Sequence, residues 1–328
     1  MRIVSIDFFR FVFMLQICLW HLNRCFGLMH RGYIAVEFFF ILSGFFLYKS
    51  SISKKSKGVL DYTLDKIQRY YPPFFIMIIP TLLVTWNEDA FLRTLNDLFF
   101  ISNTGVFSKG ANDTLWYLGV LVVGGGLIYA MLKHFKAIAI SFVLPLLIIL
   151  TYTYIFNINN GNLEFFGIYN CFYKPLWRGM AGMSLGVILS CFIQEKGKEL
   201  IRYQRGLDFL LVCGLMGWIL IVFNQGAYDR YALVCSCIII TTCFVKTSFV
   251  NRILTWKGWS FFGELTLEMY IVHWALVRLL LHLRDTFLIH GSYILVGYII
   301  ILILGAYALK LCSNKFVEFS KKFLISDI

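Results

Sequence analysis

Apolar runs of roughly twenty residues, separated by short polar and basic stretches, recur along the whole chain. A helix needs about 20 mainly apolar residues to cross the hydrocarbon core of a bilayer. The pattern therefore predicts ten spans, at 8–28, 34–49, 72–86, 114–132, 138–156, 175–193, 207–223, 229–245, 261–282 and 292–312. The third is short and opens at Pro72-Pro73, after a stretch, "LDYTLDKIQRYY", that reads as an interfacial helix. Residues 91–101 are apolar but too short to span, which suits an interfacial or re-entrant segment. The fold class expected is all-α, a polytopic integral-membrane bundle of about ten transmembrane helices forming one domain over residues 1–328.

Composition agrees with that pattern. Hydrophobic residues make up 59% of the chain and charged residues 15%, against about 45–50% and about 25% in soluble domains. The N-terminal run lacks a basic flank and a small-x-small cleavage site, so it reads as a retained span. The nine cysteines lie mostly within apolar runs and show no C-x-x-C spacing. They read as small buried hydrophobes, and no metal site is expected.

Charge sets the orientation. Of the thirty Lys and Arg, twenty fall in alternate inter-span segments, among them the 50–71 stretch, and seven in the others. By the positive-inside rule both termini are cytoplasmic. The same distribution accounts for the net charge of +12 without a nucleic-acid partner.

Polar residues inside the spans carry the candidate chemistry. In "DFFRFVFMLQICLWH", Arg10 and His21 are eleven positions apart, so they share a helix face about 16 Å from each other along the axis. Asp7 stands three residues before Arg10 and can pair with it. A charge at bilayer depth costs on the order of 2.5–3.5 kcal/mol, so such residues normally face a bundle interior or a wet cavity. Alone, Arg10 could snorkel to lipid phosphates and His21 could be a core histidine. Glu37 sits within "VEFFFILSGFFL", ahead of Ser43-Gly44. Arg178 opens the sixth span, and Glu264, Glu268 and His273 lie in or near the ninth.

Taken in order, these segments resemble the acyltransferase-3 family of integral-membrane O-acyltransferases, which acetylate bacterial surface polysaccharides. "SIDFFRFVFMLQICLWH" resembles the family's opening Asp-x-x-Arg segment with its Arg-to-His pair, and "VEFFFILSGFFL" its second-helix signature. "RYYPPFF", "LWYLGVL", "WRGMAGMSLGVIL" and "FGELTLEMYIVHWAL" resemble later landmarks. The chain departs from the family pattern at Phe9 and Phe11 beside Arg10, where glycine is usual. It departs again at Glu37 and Ala35, where Asp and Gly are usual.

The resemblance implies a bacterial inner-membrane enzyme that moves an acetyl group from acetyl-CoA to a hydroxyl of a carbohydrate, free or lipid-linked. No metal is needed to activate the thioester. His21 is the expected base or acyl carrier. Arg10 and Arg69 are expected to hold the anionic groups of CoA, with Asp7 orienting Arg10. Ser43 and Gly44 are expected to line the donor site and let the second helix approach the first. Glu37, Arg178 and His273 are further candidates. The competing readings are a transporter or lipid flippase using the same buried charges, and a different membrane O-acyltransferase family centred on His273.

Overall fold

The computed structural model describes residues 2–23, 29–85, 89–100, 110–163, 168–169, 172–287 and 291–326. The far ends of the first and third predicted spans, residues 24–28 and 86, lie outside them. Helices follow in the order α1 (Val4–Asn23), α2 (Ala35–Ser51), α3 (Val59–Thr85), α4 (Ala90–Leu98), α5 (Trp116–His134), α6 (Lys136–Ile138) and α7 (Leu144–Ile158). Then come α8 (Lys174–Leu200), α9 (Gln204–Phe223), α10 (Asp229–Val245), α11 (Ser248–Ile253), α12 (Gly258–Glu264), α13 (Thr266–Phe287) and α14 (Gly291–Ser326). A two-stranded antiparallel ribbon, β1 (Ile168–Tyr169) with β2 (Phe172–Tyr173), precedes α8.

Every predicted span falls on helix, and the fold is an all-helical multi-pass membrane bundle. Among the described residues, seven stretches are long and apolar enough to cross a membrane, and one of them, Lys174–Phe223, contains both α8 and α9. The two predicted spans outside these stretches are α10, which is 17 residues long, and α3, whose first half is charged. The outward surface is apolar, as lipid requires: Ile149 and Leu150 on α7, Met216 and Leu220 on α9, and Val296 and Leu304 on α14 are all exposed.

The structure corrects the predicted boundaries in two places, the third and ninth spans. Pro72-Pro73 does not open the third span, because α3 starts at Val59 and runs through both prolines. The predicted interfacial helix and the span are one rod. Proline lacks the N–H that an interior helix position donates, so the carbonyls of Gln68 and Arg69 lose their intrahelical partners there. The ninth span is interrupted at Leu265, between α12 and α13. Residues 90–98 form a short helix packed on α3, with Phe91 and Leu92 exposed.

Helix α2 lies at the centre, against α1, α5, α8 and α10. Its tightest neighbour is α8. A Cβ on Gly44 would come 1.8 Å from the Met183 carbonyl oxygen, and one on Gly186 would come 1.9 Å from that of Ile41. Small residues allow such backbone approach where no hydrophobic drive separates protein from lipid. Gly44 therefore serves contact with α8 rather than with α1, and its neighbour Ser43, not Gly44, lines the cavity described below. On the helix it points about 100° away from Ser43. Between α1, α2, α3, α5 and α13 a hollow remains.

Candidate active site

One face of α1 forms a wall of that hollow. Arg10, Met14, Ile17 and His21 follow at helical spacing, and each lines one or more of three adjoining spaces. At the Arg10 end is a basic vestibule of about 490 Å³, edged by Arg2, Arg10, Arg69, Glu264, Glu268 and Lys310. Arg10, Arg69 and Leu267 also border the next space, a cavity of about 230 Å³. Ser43, Lys66, Tyr70 and Tyr117 are in its wall. Ile17, Val36 and Tyr270 are shared in turn with an inner hollow of about 40 Å³, which contains His21.

The vestibule is organised by ion pairs. Asp7 is buried and accepts from Arg2 Nε at 2.5 Å and from Arg10 Nη1 at 3.1 Å. Arg10 Nη2 donates to Thr266 Oγ1 at 2.8 Å, which fixes the guanidinium plane between α1 and α13. Gly263 in α12 packs on Asp7, where a Cβ would come 2.4 Å from that of Asp7. Glu264 is neutralised by Lys310 at 2.6 Å and by Arg2. Those two partners, Lys310 first, hold its carboxyl below the usual range. Arg69 makes no hydrogen bond or ion pair among the described residues, so its planar fork is uncommitted.

Lys66 precedes the apolar half of α3 and lies 5.4 Å from the Tyr62 ring centroid. Burial, reinforced by the neighbouring Arg69 and opposed by Asp65, pushes its ammonium down to about 8. A basic group in that position is poised to take an anion.

At the inner end, His21 lies against aromatic rings: Trp20 at 4.8 Å, Trp274 at 5.5 Å and, from α13, His273 at 5.2 Å. His273 is fully buried, and its Nδ1 is 2.6 Å from the Tyr270 carbonyl oxygen. A carbonyl can only accept, so Nδ1 carries the proton and Nε2 is the free lone pair. Tyr270 in turn donates its hydroxyl to the Thr114 carbonyl, tying α13 to the start of α5.

Glu37 and Arg178, separate candidates in the sequence, are partners. Arg178 Nε donates to Glu37 Oε1, and Tyr152 donates its hydroxyl to Glu37 Oε2 at 2.7 Å. Arg178 also lines the hollow that contains His21. The longer Glu side chain is therefore placed by contact with α7 and α8.

The structure thus brings His21, His273 and Arg178 to one end, and Arg10, Arg69 and Asp7 to the other. Asp7 stands fourteen residues before His21 on the same helix, about 21 Å away along the axis, and pairs with Arg10 as the three-residue spacing predicts. It organises Arg10. Lys66 and Tyr270 were missed as site residues. Lys66 reads in the sequence as one of many positive-inside lysines, and Tyr270 as an apolar-run aromatic.

The acyltransferase-3 family model, described as an acyltransferase domain, matches residues 3–311. The chain belongs to the acyltransferase-3 family. It is a membrane acyltransferase, and the family match covers every helix that borders the three spaces except the part of α14 beyond residue 311. Comparisons with curated proteins and with solved structures find no match.

Proposed function

We propose that this acyltransferase moves an acetyl group from acetyl-CoA to a hydroxyl of a carbohydrate, either a surface polysaccharide or its lipid-linked precursor, in a bacterial inner membrane. The observation that carries this reading is the row of three adjoining spaces along one face of α1, with cations at one end and His21 at the other. Acetyl-CoA is a multiply charged anion joined to its thioester by a long, thin, mainly uncharged arm. Arg10, Arg69 and Lys66 suit the phosphates, and the narrower cavity beyond them suits the arm. The positive-inside distribution puts the vestibule on the cytoplasmic side, where acetyl-CoA is found.

The acceptor would come from the opposite end. Two polar depressions adjoin the inner hollow there, one sharing Asp113 with it and the other sharing Tyr33. In the transfer step His21 takes the proton of the acceptor hydroxyl as its oxygen bonds to the acetyl carbon. The C–S bond then breaks and the CoA thiolate leaves as the thiol after protonation. With both substrates meeting at His21, direct transfer needs no covalent enzyme intermediate.

The test is mass spectrometry of surface glycans from cells with and without the gene. An acetyl-sized mass difference, restored by the wild-type gene, supports the reading. Identical glycans together with no transfer from acetyl-CoA by the purified protein would reject it.

A further inference from the structure

Resting on the acyl-transfer reading, we propose that Arg178 stabilises the oxyanion of the tetrahedral intermediate at His21. Attack on a thioester carbonyl moves a full negative charge onto its oxygen, and a fixed donor aimed at that oxygen lowers the barrier most.

The hydroxyl donors that line the inner hollow are already committed. Tyr33 gives its hydroxyl to Asp229 Oδ2 at 2.7 Å, and Thr114 gives its hydroxyl to Asn112 Oδ1 at 2.6 Å. Tyr270 is committed to the Thr114 carbonyl. Asp113, when ionised, can only accept. Arg178 is different. The residue is 1% exposed, yet its Nη2 has no hydrogen-bond partner among the described residues. A buried guanidinium N–H left unpaired is expensive, because its desolvation is not compensated.

The guanidinium is anchored through Nε. Nε is bonded to Glu37, and Tyr152 fixes the far oxygen of that carboxylate. Gly179 and Gly182 bring α8 close to α2, where a Cβ would come 2.8 Å from the ring of Phe40 and 2.7 Å from its Cβ. The Glu37 bond and the close α2–α8 packing restrict the Arg178 side chain. A donor positioned in advance, lining the same hollow as the base, is what a developing oxyanion requires. The volume of about 40 Å³ also suits a short acyl group.

The experiment compares the wild type with Arg178→Lys and with the double variant Glu37→Gln/Arg178→Gln, which leaves no buried charge unpaired. Acetyl transfer by the purified proteins is followed together with KM for acetyl-CoA and the detergent melting temperature. If Arg178 holds the oxyanion, both variants lose about 10²–10³-fold in kcat, while KM and melting temperature stay near wild type. A folded double variant with wild-type kcat would overturn the proposal and leave Arg178 as a helix tie. A kcat loss that tracks the melting temperature would also overturn it. If the wild type itself transfers no acetyl group, the acyl-transfer reading fails first, and that result is distinct from either.

Discussion

The rings of His21 on α1 and His273 on α13 lie 5.2 Å apart, centroid to centroid. In the sequence they belong to different hypotheses, His273 to the rival acyltransferase family. In the fold they meet. His273 is pinned by the Tyr270 carbonyl, so its ring is a fixed surface against which His21 rests. His273→Ala is expected to lower kcat at least about tenfold, less than the ~10²–10⁴ of a lost base. KM for acetyl-CoA should not change. An unchanged kcat in a stable variant would leave His273 in a packing role.

Arg10 and Arg69 border both the vestibule and the cavity beyond it. Lysine keeps their charge but loses the planar fork. Arg10→Lys and Arg69→Lys should each raise KM for acetyl-CoA several-fold with a smaller effect on kcat. Steady-state kinetics in detergent would check this, and an unchanged KM in both would remove phosphate binding from their roles.

Donor binding should depend on pH through Lys66. Burial and Arg69 lower its ammonium to about 8. An anion binds the protonated form, so donor affinity is complete below that value and declines as pH rises through it. KM for acetyl-CoA is expected to climb between about pH 7 and 9. Lys66→Gln should show a higher, flat KM over that range. A variant that keeps the wild-type pH dependence would show that another group titrates.

Helix packing gives a stability prediction. A Cβ on Gly44 would sit 1.8 Å from a backbone oxygen of α8, whereas one on Gly206 in α9 meets nothing within 4 Å. Gly44→Ala should destabilise by about 1–3 kcal/mol or more through overpacking. Gly206→Ala should be neutral or slightly stabilising. Melting temperatures of the two variants in one detergent would decide.

What the sequence reveals about this chain follows from the range of its periodicities. Helical spacing within one segment puts Arg10 and His21 on a single face and pairs Asp7 with Arg10, and both relationships are present in the fold. Apolar length locates the helices, although it cannot tell an interfacial rod from the start of a span. For that reason α3 runs through Pro72 unannounced. Neighbours between helices are another matter. Every membrane helix here is apolar on most sides, so no stripe says which faces meet. The pairing of Glu37 with Arg178, the approach of His273 to His21 and the seating of Gly44 on α8 are all contacts of that kind.

The most direct test of the central claim is the rate of acetyl transfer from acetyl-CoA to a hydroxyl acceptor by purified wild type and His21→Ala. Melting temperature and donor binding are measured on the same samples. If His21 is the base at the end of the row of spaces along α1, the variant binds acetyl-CoA normally, stays folded and loses about 10²–10⁴-fold in rate. A folded His21→Ala protein that transfers acetyl groups at the wild-type rate would contradict it.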